Sequence, residues 1–473
     1  MAAQIRQFSF DGIPGPTHRH SGLAHGNLQS AQSSSLPSQP RLACLQRLRK
    51  ARQMQDAGIA QALFPPLVRP YLSLLVATGF IDASSVEQAW QSGNFDYVAA
   101  EIERIAQNDP ELVGACFAAS GMWVANWATV TPSSDSLDGR LHLTPANLAS
   151  NLHRSLEAAE VKGILEGIFQ DRRLFCVHAP LAANVAVTDE GAANHMRLCR
   201  ADGGAGIHIF VYGEHGIRRP QQPQGYVGRQ TRMASRALAV RNNVPPGRWT
   251  TLQQSELAIA QGVFHNDVIA MNHHSGIVCH ELAYAHQERS RNDILGWAAA
   301  HGIELRWLEI PDGVLPIAEA VRTFFFNSQI ATAQSGENTL ICEAQCETSA
   351  PVRRVIAMLR DEGLVDRVLF VDLTETLRSG GGPACGRLRI ELGAAEQAVL
   401  CGYRGFDPAA TTWNQLEAIV RSTYPEQWTP GERVCGAALR GFYEAIGQIR
   451  NCLGFSERPA AMNAFDWTSL GVT

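Results

Sequence analysis

The stretch "LRSGGGPACGRLRIEL", Leu377 to Leu392, joins a Gly-rich turn to an alternating segment. Leu388, Ile390 and Leu392 project one way and Arg387, Arg389 and Glu391 the other, the period-two pattern of a strand with one buried face. The glycines and proline before it bend the backbone tightly and deliver Cys385 to the mouth of that strand, where a nucleophile would be displayed. Plainer readings compete. Free cysteine is among the most buried residue types, so any one of the eleven here is first a core residue. A phosphate loop is disfavoured, because no Gly-Lys-Ser/Thr follows and the next element reads as a strand rather than a helix. Raising Cys385 above a core role requires a base, an acid and a pocket supplied from elsewhere in the chain.

A strand over 387–392 needs partners. The same reading predicts strands over 173–179, 207–213, 267–272, 276–282, 303–310, 339–344 and 368–373. Helices are expected near 41–56, 83–92, 145–168, 316–326, 352–363, 412–423 and 431–452. "NHHSG" (272–276) reads as a hairpin loop, so the class is α/β with some antiparallel pairing. No repeat of fixed period appears, and no strong linker splits the chain; "AQSSSLPSQP" (31–40) is a polar loop.

At 473 residues the length suggests two or three domains, although closed α/β architectures reach this size as one unit. Hydrophobic content of 45% with 18% charged residues describes an ordinary globular protein. A formal charge of −5 offers no broad basic field for nucleic acid or anionic lipid. Arg47, Arg49, Lys50 and Arg52, at helical spacing among Leu42, Leu45, Leu48, Ala51 and Met54, read as a solvated helix face. The start "MAAQIRQFSFDG" lacks an apolar signal region, and "ALFPPLVRPYLSLLVATGF" (62–80) is broken by Arg69 and three prolines, so neither export nor a membrane span is expected. The cysteines include no CxxC pair, and the expectation is reduced thiols in a cytoplasm.

Several stretches set polar groups among apolar ones, where a buried charge needs a reason. "VTDEGAANH" (187–195) carries Glu190 ahead of a small-residue turn. "QGVFHNDVIAM" (261–271) carries His265 and Asp267, which on a strand would share a face. With His273 and His274 they would make a metal set, but the spacing matches no zinc signature; a core histidine satisfied by a neighbour is the stronger alternative. Residues 121–158 add Asn126, His153 and Arg154 with two tryptophans, and "GRQTRMASR" (228–236) adds Arg229. Those cations suit bidentate carboxylate binding, with surface salt bridges as the plainer reading.

Together "FDGIPGPTH", "SGLAHGN", "MWVANWATVTPSSD", "LHLTPANL", "NLHRSLEA", "DEGAANH", "QGVFHNDVIA", "FNSQ" and "GGGPACGRLR", in order from Phe10 to Arg389, resemble the N-succinylarginine dihydrolase family of the guanidine-modifying amidinotransferase and deiminase superfamily. The resemblance implies a single α/β-propeller domain over 1–453 with pseudo-fivefold symmetry, a C-terminal tail over 454–473, and a homodimer. It implies a hydrolase that takes N2-succinyl-L-arginine and two waters to N2-succinyl-L-ornithine, two ammonia and CO2 in arginine catabolism, with no metal or organic cofactor. The resemblance makes Cys385 the nucleophile and Glu190 with His265 the acid/base pair. Substrate contacts fall to the loop Ser21, Gly22, Leu23, Ala24, His25, Gly26, Asn27, Leu28, Gln29 and Ser30, and to Asn126, His153, Arg154, Arg229, Asp267 and Ser379. The family pattern carries Asn where this chain has Ser379, a shorter group that would need a bridging water.

Overall fold

The computed structural model describes residues 5–20, 22–118, 120–200, 203–216, 226, 228–429 and 432–455. Ser21, and the expected C-terminal tail from 456 onward, lie outside the described residues.

One small plan is used five times. β1 (Arg6–Gly12) runs parallel to β2 (Gln61–Phe64), with the helix Pro40–Asp56 crossing between them. β3 (Ala128–Thr131), β4 (Leu141–Pro145) and β5 (Phe175–Val177) form an antiparallel pair followed by a parallel one, with the helix Ala158–Ile168 between β4 and β5. β6 (His195–Leu198), β7 (Ile207–Tyr212) and β8 (Trp249–Gln253) repeat it around the helix Arg232–Arg241. β9 (Ala270–His273), β10 (Gly276–His280) and β11 (Arg306–Ile310) do so around Gln287–Ala300. β12 (Gln329–Thr332), β13 (Asn338–Glu343) and β14 (Arg367–Val371) do so around Ala350–Asp361. β15 (Arg387–Leu392) then returns antiparallel to β1, so the sheet begun at the N-terminus is completed by the last strand.

Each sheet contains three strands, and the short first strands adjoin across sheets, β6 and β12 beside β9 and β15 beside β3. The alternation in β15 decides its orientation. Leu388, Ile390 and Leu392 are fully buried among Phe8, Phe10, Phe64 and Trp127, while Arg389 and Glu391 take the opposite face. Burying each such aliphatic side chain contributes about 1.5–3 kcal/mol, and a one-residue slip would exchange the two faces. A separate helical layer, Leu72–Ala77 through Pro110–Phe117, packs with Gly436–Cys452 around a second apolar cluster.

Several sequence expectations are corrected. The helix expected over 145–168 is broken, because β4 runs to Pro145 and helix resumes as Leu152–Ser155 and Ala158–Ile168. His265 and Asp267 do not share a strand: His265 caps a short 3-10 turn, Asn266–Val268, and β9 starts only at Ala270. The basic face of Pro40–Asp56 is not solvated at Arg47 and Lys50, which are both buried. Lys50 Nζ donates to Asp11 Oδ1 on β1 at 2.5 Å, and the Arg47 guanidinium lies 5.0 Å from the Trp123 ring centre. A charge on the adjoining strand and an aromatic face, rather than water, take those two side chains. Among the described residues no helix is long and apolar enough to cross a membrane.

Candidate active site

The turn over 379–386 is folded by its neighbours. Gly380 has φ +93°, and a Cβ there would collide with the Asn27 side chain, whose Nδ2 donates to Gly380 O at 2.7 Å. A Cβ on Gly381 would strike the Trp123 ring, so this glycine marks a close approach. Asn327, at the end of a short 3-10 turn before β12, fixes the remainder of the turn. Its Oδ1 accepts the N–H of both Gly382 and Cys385 at 3.1 Å, and its Nδ2 donates to Cys385 Sγ at 3.1 Å. Cys385, buried beside Met122 and Trp123, is thus aimed by a residue the sequence reading passed over.

Cys385 Sγ donates to Asp267 Oδ2 at 3.4 Å. Burial first, and then the Asp267 charge, pushes the Cys385 thiol well above its ordinary range. Burial likewise pushes Asp267 up to about 7, against the hydrogen bonds from Cys385 and Asn327. The coupling is one-sided: the Asp267 charge makes ionisation of Cys385 harder, while the hydrogen bond from the thiol favours the ionised Asp267.

Glu190 is the hub of a second group. Its Oε2 accepts from His265 Nε2 at 2.8 Å and from Arg154 Nη1 at 2.6 Å, and its Oε1 accepts from Ser150 Oγ at 2.7 Å. Although burial opposes it, Arg154 and His265 hold the carboxyl well below its usual range, so it is ionised. Burial brings His265 down to about 4 against the pull of Glu190, leaving a neutral imidazole at neutral pH. With Nε2–H committed to Glu190, the lone pair sits on Nδ1, 4.0 Å from Asp267 Oδ1. Neither His265 Nδ1, Asp267 Oδ1 nor Arg154 Nη2 has a hydrogen-bond partner among the described residues, although all three are buried. Buried polar atoms are rarely left so, and these three are acceptors and donors in want of a polar ligand.

A concave pocket connects the groups. It is lined by Cys385, His265, Arg154, Arg229, His153, Asn126, Ser379, Asn27, Ser30 and Ala24. Asp267 stands behind it, facing a second cavity lined by Arg387, Arg389 and Glu391, so the Cys385–Asp267 contact lies where the two cavities meet.

Of the described residues in the expected binding loop, Ala24, Asn27 and Ser30 line the pocket; the others do not. Gln29 Nε2 donates instead to Arg322 O at 3.2 Å, and Leu28 packs into an apolar core. Asn126 Nδ2 donates to Glu190 O at 2.7 Å, so its amide supports the hub. Arg229 donates to His25 O at 2.5 Å and lies 4.6 Å from the Phe264 ring centre, tying the loop down. Ser379 Oγ bonds His20 Nδ1 at 2.9 Å, a direct protein partner for the hydroxyl. His273 and His274 turn away to Thr332 Oγ1, at 2.8 and 3.2 Å. Arg19, Trp123 and Phe264 also line the pocket; Trp123 and Phe264 fall within stretches that the sequence marks out, but nothing in those stretches gives the rings a site role.

The sequence profile described as Succinylarginine dihydrolase matches residues 4–458. The N-succinylarginine dihydrolase of Burkholderia thailandensis is 37% identical over 450 residues, covering 95% of this chain and 97% of that protein. That of Paraburkholderia xenovorans is 37% identical over 459 residues, covering 95% and 98%. Among solved structures, the N-terminal domain of ArgZ, a cyanobacterial arginine dihydrolase, is a looser likeness: 12% identity, 82% of this chain, 97% of that one, and a TM-score of 0.48. Matched over nearly its whole length, the chain belongs to the succinylarginine dihydrolase family of enzymes.

Proposed function

We propose that the protein hydrolyses N2-succinyl-L-arginine to N2-succinyl-L-ornithine, two ammonia and CO2, with Cys385 as nucleophile and Glu190 with His265 as the acid/base pair. The observation that carries the reading is the match to N-succinylarginine dihydrolases over nearly the whole chain, combined with a buried thiol and imidazole lining one pocket, each hydrogen-bonded to a carboxylate, Asp267 and Glu190, behind it. The guanidinium carbon is resonance-stabilised, and a thiolate is the side chain able to attack it. In the free protein Cys385 is a neutral thiol. A bound guanidinium beside Asp267 neutralises that carboxylate and places a positive charge near sulfur, so substrate itself drives ionisation of the nucleophile.

Attack forms the S–C bond. The proton that leaves the Cys385 thiol is taken up at His265 Nδ1, and His265, oriented by Glu190, gives it to the departing nitrogen as the C–N bond breaks and ammonia leaves. Water then adds to the S-linked amidino carbon while His265 takes its proton, the S–C bond breaks, and a ureido compound remains. A second passage through the same steps releases the other ammonia, and the resulting carbamate loses CO2. Arg154 Nη2, unpartnered, and Arg229 offer guanidinium donors for the substrate's carboxylates.

The five like sheets, with β15 closing the first, support a single propeller with pseudo-fivefold symmetry over 1–453. We assign the working protein to the cytoplasm as a homodimer; size-exclusion chromatography with light scattering tests the latter. The decisive assay is product analysis with N-succinylarginine, arginine and N-succinylcitrulline. Two ammonia per succinylarginine consumed is the expected result, and one would make the enzyme a deiminase. Cys385→Ser is expected to abolish turnover; activity within about tenfold of the unaltered protein, where loss of a covalent nucleophile removes orders of magnitude, overturns its role.

A further inference from the structure

On the outer edge of the second sheet, away from the residues of the active-site pocket, three metal-ligating side chains converge. His142 on β4 stands directly opposite Cys176 on β5, and His178 follows one residue beyond the end of β5. His142 Nδ1 and His178 Nε2 are 2.9 Å apart, and Cys176 Sγ is 3.6 Å from His178 Nε2. All three ligand atoms lie within 4.8 Å of one another.

The separations suit one small ion. A tetrahedral centre with Zn–N of about 2.0–2.1 Å and Zn–S of about 2.3 Å spaces its nitrogen and sulfur ligands roughly 3.5 Å apart. The His142 ring is also held from its far side. Asp138 Oδ1 accepts from His142 Nε2 at 2.8 Å, the carboxylate–histidine pairing that fixes the tautomer of a metal-bound imidazole and turns the Nδ1 lone pair toward the ion. Asp138 is itself braced by Arg140 at 2.8 Å. The other histidine cluster, His18, His20 and Glu375, has no such arrangement, because His20 Nδ1 is already spent on Ser379.

We propose that His142, Cys176 and His178 form a zinc site, with Asp138 supporting His142 and a water in the fourth position. Cys176 and His178 are only half-buried, so an ion can reach them from solvent. Protons balance simply. Zinc binding forms one Zn–S and two Zn–N bonds; the Cys176 thiol proton passes to solvent, and the His178 ring proton exchanges through solvent from Nε2 to Nδ1. The ion then staples the edge strand β5 to β4, a structural role independent of turnover.

The test uses cobalt(II) and zinc(II) salts alone on the reduced full-length chain carrying Cys385→Ser, Cys401→Ser and Cys435→Ser, which removes the pocket thiol and the two exposed ones. One equivalent of cobalt giving a thiolate charge-transfer band, displaced by zinc, is expected. Adding Cys176→Ser should erase the band, and Asp138→Asn should weaken zinc binding by about 10–100-fold. Zinc should also raise the thermal midpoint, and that rise should vanish in His178→Ala, a half-buried position whose metal-free unfolding serves as the folding control. No cobalt band in the parent protein, or a band that survives both Cys176→Ser and His178→Ala, overturns the site.

Discussion

Asn327 and Cys385, 58 residues apart, are joined twice: the amide oxygen accepts the cysteine's backbone N–H at 3.1 Å, and the amide nitrogen donates to its sulfur at 3.1 Å. The same oxygen holds the Gly382 N–H. Asn327→Ala therefore strands two buried donors, each costing about 1–3 kcal/mol, and frees the turn that aims the sulfur. A displacement near 1 Å at a reacting atom costs about 10²-fold in rate. Denaturant unfolding together with kcat checks both parts; unchanged kcat in a folded variant would show that Asn327 is not a positioning residue.

Asp267 sets the protonation of its neighbour. Its negative charge raises the Cys385 thiol, so Asp267→Asn removes that repulsion and lowers the thiol's pKa. Alkylation of Cys385 by iodoacetamide in the free protein is expected to be slow at neutral pH and to speed up in Asp267→Asn, while turnover collapses. Conversely, a carboxyl raised to about 7 becomes neutral as pH falls below that value and loses its attraction for a guanidinium. The pH profile of kcat/KM should fall on its acid side near 7, an apparent value belonging to the Asp267–Cys385 pair. A profile flat down to about pH 5 contradicts this.

Arg229 should matter for succinyl recognition. Succinylation replaces the substrate's α-ammonium by an amide and adds a carboxylate, so the preferred substrate offers two carboxylates to guanidinium groups. A contact to a charged group contributes about 1.5–3 kcal/mol. The protein should strongly prefer succinylarginine to arginine, and Arg229→Ala should lower kcat/KM for succinylarginine by roughly tenfold or more while barely altering any activity on arginine. Equal losses on both substrates would reassign Arg229 to the common α-carboxylate, or to holding the loop through its bond to His25 O.

Lys50 and Asp11 form a fully buried pair linking the first crossover helix to β1. Removing one partner leaves an uncompensated buried charge. Lys50→Met should destabilise the protein by about 3–5 kcal/mol, and adding Asp11→Leu should restore much of that loss. Urea unfolding of the single and double variants decides it: a double variant no more stable than Lys50→Met would show that the pair acts through packing alone.

The residues of the candidate site were more legible than the architecture. Cys385, Glu190 and His265 sit in short motifs that stand out in the sequence, although core roles compete for the cysteine and the histidine, and the structure brings Cys385 and His265 to one pocket with Glu190 directly behind the imidazole. Asn327 escaped because its role is to satisfy backbone N–H groups far along the chain, and an asparagine in "FNSQ" carries no local sign of that. Arg47 and Lys50 were misread because isolated charges on a helix default to solvent; only the packing of β1 and Trp123 against that face reveals otherwise. The fivefold plan entered only through the family resemblance and not as a residue repeat, since it repeats strand pairings and crossover helices, and strands of three to seven residues carry too little pattern to align.

The return of β15 to β1 also orders events in time. Arg6 pairs with Leu392, so the first sheet to leave the ribosome is the last to be finished, and β1 waits with one unpaired edge for nearly the whole of synthesis. Cys385 rides on the turn that leads into that final strand. The nascent chain thus completes the Cys385 turn late, and the pocket is assembled only when β15 pairs with β1.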